Sequence, residues 1–398
     1  MKRRAGGIDG EICNAGPGKG KAAMKKNDRN PVGDGKETAR RDFLKVGLGA
    51  VAGLGFARSL AAESGASVGA RASASVTRPL STQAGPVGLL EVDSIDVWCL
   101  EDNFTDVLLA SSPIATRPPL PPDLFTQRQF VTEHGFSALV TIQRGDQRAA
   151  LLYDGGLSSD AVAWNMEKLG LPAEDIAAVV LSHGHIDHHS GLDRVIQKIN
   201  HQGLPLIVHP EVWLERRAMT PTGPLFLPPP DRQHLEGGGV QIIERREPSL
   251  LLDGTIAVTG EIPRVTTYET GFPPHQKLTP AGWVPDPLIW DDQALVCNLK
   301  GKGLVVVSGC AHAGVINTLL YAQALAGVSA ICAFVGGLHL SGAVFEPRIA
   351  QTVADLVALG PAVVVPAHCT GWKATHAIAA ALPGAFIQNS VGTRYHFA

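Results

Sequence analysis

The feature that most constrains the fold is an unbroken apolar run that ends on a cluster of metal-ligating side chains. Ile176 to Leu181 reads Ile-Ala-Ala-Val-Val-Leu, and Ser182-His183-Gly184-His185-Ile186-Asp187-His188-His189-Ser190-Gly191-Leu192 follows at once. A short apolar stretch without alternation, bounded by polar residues, reads as a strand covered on both faces. Such a strand needs a packed layer on each side of its sheet. His183, His185, Asp187 and His188 then lie on the loop at the strand's carboxyl end. Taken singly, each histidine would more simply be a surface or hydrogen-bonded core residue. Together they suit two metal ions, His183 and His185 converging on one while Asp187 and His188 face its neighbour. His189 extends the run and is expected in a supporting or surface position.

The rest of the chain alternates β-rich stretches with single helices, twice over. The first half offers strand, turn and strand over Ser94 to Ala110, then strands at Phe136 to Ile142 and Arg148 to Tyr153 around the turn Arg144-Gly145-Asp146-Gln147, and a helix over Asp160 to Leu169. The second offers strands at Leu206 to Val208, Ile242-Ile243, Ile256 to Val258, Ala294 to Asn298, Leu304 to Ser308, Ala330 to Val335 and Val363 to Val365, with helices at Val315 to Ala326 and Ile349 to Leu359. The expected class is α/β (α+β): a four-layer αββα sandwich over residues 91–398, two packed sheets with helices outside. Pro221 to Pro287, proline-rich and without clear period, is expected to form a lid or wall over the metal site.

Charge divides the chain unevenly. The total is 34 − 37 = −3, but residues 1–61 carry 13 Lys and Arg against 6 Asp and Glu, or +7, leaving −10 for the remainder. An acidic body excludes a nucleic-acid-binding surface, which needs clustered cations to neutralise phosphates. Within the leader, Arg40-Arg41-Asp42-Phe43-Leu44-Lys45 precedes the uncharged stretch Val46 to Ala57 and the small-residue triplet Ser59-Leu60-Ala61. This pattern resembles a twin-arginine export signal cleaved near residue 61. The alternative is an ordinary basic N-terminus followed by a short buried helix. Residues 62–90, rich in Ala, Ser, Gly and Val, read as a flexible linker. The expectation is export to the periplasm by the twin-arginine machinery with no stable membrane anchor afterwards. Beyond the leader, cysteines 99, 297, 310, 332 and 369 are odd in number and lack close spacing, so they are not a disulfide framework, although a single pair stays open.

The run His183-x-His185-x-Asp187-His188 after a buried strand resembles the metallo-β-lactamase superfamily, whose sandwich has the element order above. Glu133-His134-Gly135-Phe136-Ser137, Asp154-Gly155-Gly156, Gly260-Glu261-Ile262-Pro263-Arg264, Asp291-Asp292-Gln293-Ala294-Leu295, the segment Gly309 to Asn317, Gly336-Gly337-Leu338-His339-Leu340 and His368-Cys369-Thr370-Gly371 are similar to the subgroup containing 7,8-dihydropterin-6-ylmethyl-4-(β-D-ribofuranosyl)aminobenzene 5'-phosphate synthase. The similarity spans roughly residues 92–393. It implies two divalent metal ions, zinc by preference with iron or manganese as alternatives, and a small-molecule substrate.

The same resemblance suggests further roles. His368 corresponds to the last ligand, and Cys310 stands at the bridging position, where a thiolate is a good zinc ligand and a buried structural cysteine is the alternative. Asp154 is expected to orient a ligating histidine, or else to be a turn residue before two glycines. The remaining histidine ligand is not where the superfamily usually has it: Thr259-Gly260-Glu261 occupies that place. Glu261 substitutes, or His312 completes the site, or the site is incomplete. His339 is a candidate for substrate binding, proton donation or alternative ligation, and His209 is expected to be structural. Asp187 is the expected catalytic group, holding metal and accepting a proton from water. The reaction implied is hydrolysis of a phosphoester, lactone or related bond. Alternatives are a synthase-like transferase releasing diphosphate, a non-catalytic metal-binding module, and an iron dioxygenase.

Overall fold

The computed structural model describes residues 86–398; the leader and residues 62–85 of the expected linker lie outside the described residues. The apolar run forms the strand Ile176–Val180. Ala178 and Val180 face one core while Val179 and Leu181 face another. Each fully buried valine or leucine is stabilised by roughly 1.5–3 kcal/mol on leaving water, so a strand without alternation gains on both faces only where layers cover both.

Those layers are two large sheets and two sets of helices. One sheet has eight strands in the order Val240–Glu244, Leu204–Val208, Ile176–Val180, Gln147–Tyr153, Ser137–Arg144, Ser94–Glu101, Arg394–Phe397 and Ala115–Thr116. The other has seven: Ser249–Leu251, Ile256–Val258, Ala294–Leu299, Gly303–Ser308, Ile331–Gly337 and Val363–Ala367 in that order, with Glu91–Val92 also pairing on Ala294–Leu299. Val97, Val140, Leu151, Leu295, Val305 and Val335 fill the space between the sheets. Ala161–Lys168 and Leu192–Ile199 cover the outer face of the first sheet, burying Val162, Met166, Leu192 and Val195 against Leu152 and Val179. Val315–Ala326, Ile349–Leu359 and Trp372–Ala381 cover the second, with Leu319, Leu356 and Ile378 against Val296, Val306 and Phe334. This is the αββα sandwich.

Parallel pairing decides where chemistry can sit. Gln147–Tyr153 runs parallel to Ile176–Val180, and Gly303–Ser308, Ile331–Gly337 and Val363–Ala367 are parallel to one another. Parallel neighbours end at the same edge, so Asp154, the run 182–188, Cys310 and His368 all emerge where their strands stop.

The structure departs from the sequence reading in four places. No second strand forms at Val107 to Leu109: the Asp106 carboxylate accepts the Leu108 N–H at 2.9 Å and the Ser390 hydroxyl accepts the Asp106 N–H at 3.0 Å. Side chains thus take the place of a ladder partner. The linker's end is not free, because Val87 is buried and its N–H donates to the Leu325 carbonyl at 2.9 Å. The segment 221–287 is not one lid, although Phe272 and His275 within it do border the proposed ligands His312 and His185. It supplies Val240–Glu244, Ser249–Leu251 and Ile256–Val258 to the large sheets, and part of a third, four-stranded sheet ordered Gly282–Pro285, His275–Thr279, Arg216–Thr220 and Gly223–Leu227. The closing helix Trp372–Ala381 and strand Arg394–Phe397 were not expected. Among the described residues no helix is long and apolar enough to cross a membrane.

Candidate metal centre

Four of the eight non-glycine residues with positive φ among those described stand at this one edge: Asp154 (φ 61°), Ala311 (φ 51°), His339 (φ 44°) and His368 (φ 50°). Left-handed backbone at such residues costs of order 1–3 kcal/mol each and persists only where the surroundings over-determine it. Here it turns the chain sharply at the strand ends, so that side chains from distant segments meet.

Two donor sets result. In the first, Nε2 of His312 lies 3.2 Å from Nε2 of His183 and 3.2 Å from Nδ1 of His185. In the second, Nε2 of His368 lies 3.2 Å and Nε2 of His188 3.8 Å from Oδ2 of Asp187. Cys310 lies between, its Sγ 3.2 Å from Nε2 of His188, and it shares donor groups with His183 and His188, with His312 and His339, and with His368 and Cys369. His134 joins Asp187 and His368 in a further group on the exposed side.

Burial and neighbours fix the protonation of these groups. His183, His185 and His312 are held well below the usual imidazole range, chiefly by burial, then by the adjoining histidines, so they are neutral and carry lone pairs. Burial opposes ionisation of Asp187, but His188 and His368 outweigh it and hold the carboxyl far below its ordinary range. Burial also opposes charge on His188 and His368; Asp187 and Asp154 nevertheless raise the first, and Cys369, Asp187 and Asp102 lift the second to about 9. Burial pushes the Cys310 thiol up.

The residues fit a metal. Three neutral imidazole nitrogens cannot all satisfy one another by hydrogen bonding, since each pair needs a proton between them. Zinc–nitrogen bonds of about 2.05 Å put tetrahedral ligand atoms about 3.3 Å apart, close to the observed 3.2 Å. Nε2 of His368 is buried without a hydrogen bond of acceptable geometry despite facing Asp187.

Supporting groups hold the outer atoms. Asp154 accepts from Nδ1 of His188 at 2.7 Å, from the Ser182 N–H at 2.6 Å and from the Ser182 hydroxyl at 2.7 Å, while that hydroxyl also meets Nδ1 of His183 at 2.9 Å. The Asp102 carboxylate accepts the His368 N–H at 2.6 Å. Fully buried Arg216 grips Asp291 bidentately at 2.6 and 2.8 Å, and Asp291 accepts the Gly184 N–H at 2.8 Å, which pins the loop between His183 and His185. Nε2 of His275 lies 3.0 Å from Nε2 of His185.

The structure thus brings His183, His185, Asp187, His188, Cys310, His312 and His368 together, with Asp154 behind His188. Glu261 is excluded from the set: it pairs with His209 at 3.1 Å and with Arg246 at 2.8 Å, so His312 supplies the third imidazole. His209 also accepts the Glu211 N–H at 3.1 Å, a structural role. His339 borders the set, its ring 4.1 Å from that of His312. His189 is neither ligand nor surface residue; it is buried, with Nε2 3.2 Å from the Pro228 carbonyl oxygen. All described cysteines are free. Ser182, Arg216 and His275 were missed as supporting groups; Asp291 lay in a recognised motif, but no spacing signalled its role.

Comparison with known proteins places the chain in a family. The chain is 29% identical over 250 residues to the 7,8-dihydropterin-6-methyl-4-(beta-D-ribofuranosyl)-aminobenzene-5'-phosphate synthase of Methanocaldococcus jannaschii, covering 62% of this chain and 83% of that protein. An uncharacterized protein of the same organism is 30% identical over 250 residues, 62% of this chain and 88% of its own length. A solved metal-dependent hydrolase of the beta-lactamase superfamily superposes with a TM-score of 0.58 at 24% identity, covering 75% of this chain and 98% of its own, which bears on the fold alone. The sequence pattern of the metallo-beta-lactamase superfamily matches residues 133–368, more than half of the chain and every converging donor, and the chain belongs to that superfamily.

Proposed function

We propose that the chain is an exported metal-dependent hydrolase that cleaves a phosphoester, lactone or related bond with water. The observation that carries this reading is the divided donor set, three imidazoles beside a carboxylate and two imidazoles, with Cys310 between them. His183, His185 and His312 would hold one divalent ion and Asp187, His188 and His368 a second. Zinc suits this mixture of imidazole, thiolate and carboxylate, with iron or manganese as alternatives. Such ions, when bound, supply Lewis acidity toward water and toward the oxygen of the attacked bond.

The chain's own groups supply the rest. Among the converging donors only Asp187 has a partly exposed side chain, 17%, so it can both bind and accept a proton from the attacking water. Its lowered pKa keeps it ionised at neutral pH. Phe272 stacks on His312 at 6.1 Å and meets Phe345 at 5.1 Å, an apolar wall for the organic part of a small substrate. A second reading, a synthase-like transferase that releases diphosphate, is favoured by the 29% identity to the archaeal synthase; the export signal at Arg40 to Ala61 argues against it, because phosphorylated pterin intermediates belong to the cytoplasm.

The test is metal analysis followed by a substrate panel. Purified chain should carry close to two ions, and His185→Ala should lower that number; less than one ion per chain, unchanged by the substitution, would remove the dinuclear reading. Phosphodiesters, lactones and thioesters are then assayed with wild type and Asp187→Ala, alongside diphosphate release from a dihydropterin diphosphate and an aromatic amine. Hydrolysis lost in Asp187→Ala supports the first reading, diphosphate release the second, and metal binding without turnover a binding module.

A further inference from the structure

His275 holds none of the converging donor atoms, yet it controls one of them. It lies fully buried at the start of the strand His275–Thr279 in the small sheet. Its Nδ1 is 2.9 Å from the backbone carbonyl oxygen of Asp286, and its Nε2 is 3.0 Å from Nε2 of His185. A carbonyl oxygen only accepts, so Nδ1 of His275 carries the proton and donates it. In a neutral imidazole the other nitrogen is then a bare lone pair. Two facing Nε2 atoms need one proton between them, and His185 must supply it. With its proton on Nε2, His185 has a bare Nδ1, and Nδ1 is the atom that meets His312 at 3.2 Å.

The relay is held from behind. Oδ2 of Asp286 lies 3.4 Å from Nδ1 of His275 and 3.6 Å from Nε of Arg216, and its Oδ1 lies 3.4 Å from Nζ of Lys277. Arg216, His275 and Lys277 all belong to the small sheet, and Asp286 directly follows one of its strands. The group that selects the His185 tautomer therefore arrives only when this sheet is docked.

We propose that His275 is a positioning residue that locks His185 as the Nε2–H tautomer, coupling the docking of the small sheet to the affinity of the His183–His185–His312 set for its ion. This rests on the metal-binding reading above, but the tautomer itself does not require metal to be observed.

The experiment uses the full chain and zinc alone as the probe. Long-range proton–nitrogen NMR of histidine-labelled, metal-free protein should show His185 protonated at Nε2; protonation at Nδ1 would overturn the proposal. Chelator competition should show that His275→Leu, which removes the acceptor, weakens the zinc-binding step abolished by His312→Ala about 10–100-fold. His275→Gln, whose amide oxygen can accept from His185, should stay within about threefold of wild type. Wild-type affinity in a folded His275→Leu, or equal losses in both variants, would also overturn it. If His275→Leu fails to fold, the NMR result and the Gln variant still decide. If wild type binds no zinc, the metal reading fails while the tautomer measurement stands on its own.

Discussion

At the scale of single residues, Asp154 shows how one carboxylate can govern a ligand it never replaces. It faces Nδ1 of His188 at 2.7 Å and sits at φ 61°, a conformation asparagine tolerates as well as aspartate. Asp154→Asn therefore isolates the charge: an amide can present N–H to Nδ1, which drives the His188 proton onto Nε2, the atom facing Asp187 and Cys310. Affinity for the ion at His188 is expected to fall about 10–100-fold in zinc–chelator competition while the fold is retained. Acid-base balance separates the two sets as well. His368 is raised to about 9, and His188 is raised too, so protons compete with metal there. His183, His185 and His312 sit below 6.5 and lose no lone pair above it. Zinc affinity of the Asp187–His188–His368 set should thus climb with pH toward 9, by about tenfold per unit for each proton displaced, while the three-imidazole set stays level. Titrations across that range check this, and a level second step would refute it. The ligand run and Asp154 were legible in the sequence because short spacing and a strand end bring them together. His275, Arg216 and the exclusion of Glu261 were not, since those contacts are made by tertiary packing across 52 to 90 residues; Ser182 was not either, because its role beside His183 depends on the Asp154 carboxylate 28 residues away.

At the scale of elements, the carboxyl ends of the strands do the assembling, and glycine lets them approach. Gly309 follows Gly303–Ser308; a Cβ there would lie 2.3 Å from the Ser182 hydroxyl and 2.8 Å from Oδ2 of Asp154. Those atoms are pinned by hydrogen bonds, and the Gly309 N–H is itself tied to the Tyr153 hydroxyl at 3.1 Å. Gly309→Ala must push the two strand ends apart. A loss of about 1–3 kcal/mol in denaturant unfolding is expected, with weaker zinc binding as the donors separate; unchanged values in both would show that the edge is looser than this packing implies. Most strands and helices of the sandwich were readable because they carry their own apolar period, the closing helix Trp372–Ala381 and strand Arg394–Phe397 excepted. The small sheet was not, because Arg216–Thr220 and His275–Thr279 are polar, half-buried strands that pair over 57 to 61 residues, and neither shows alternation strong enough to separate it from a proline-rich loop.

At the scale of the whole molecule, the donors come from residues 183 to 368 and meet only when both sheets are complete, so the centre reports on the fold of the entire sandwich. The leader is separate in composition, +7 against −10 for the rest, and the donors that converge among the described residues all lie far from it in the chain, between residues 183 and 368. Changing it should therefore alter where the protein goes without altering what it binds. Arg40→Lys with Arg41→Lys keeps the charge but removes the paired guanidinium groups, which differ from ammonium in shape and hydrogen-bonding geometry. If the pair is read as a twin-arginine signal, the double variant stays in the cytoplasm, full-length and with wild-type zinc content, while wild type is recovered from the periplasm with its N-terminus just after Ala61. Undiminished export would refute the signal. Retention with loss of zinc would instead mean that the leader takes part in folding the body, contrary to the separation on which the export reading depends.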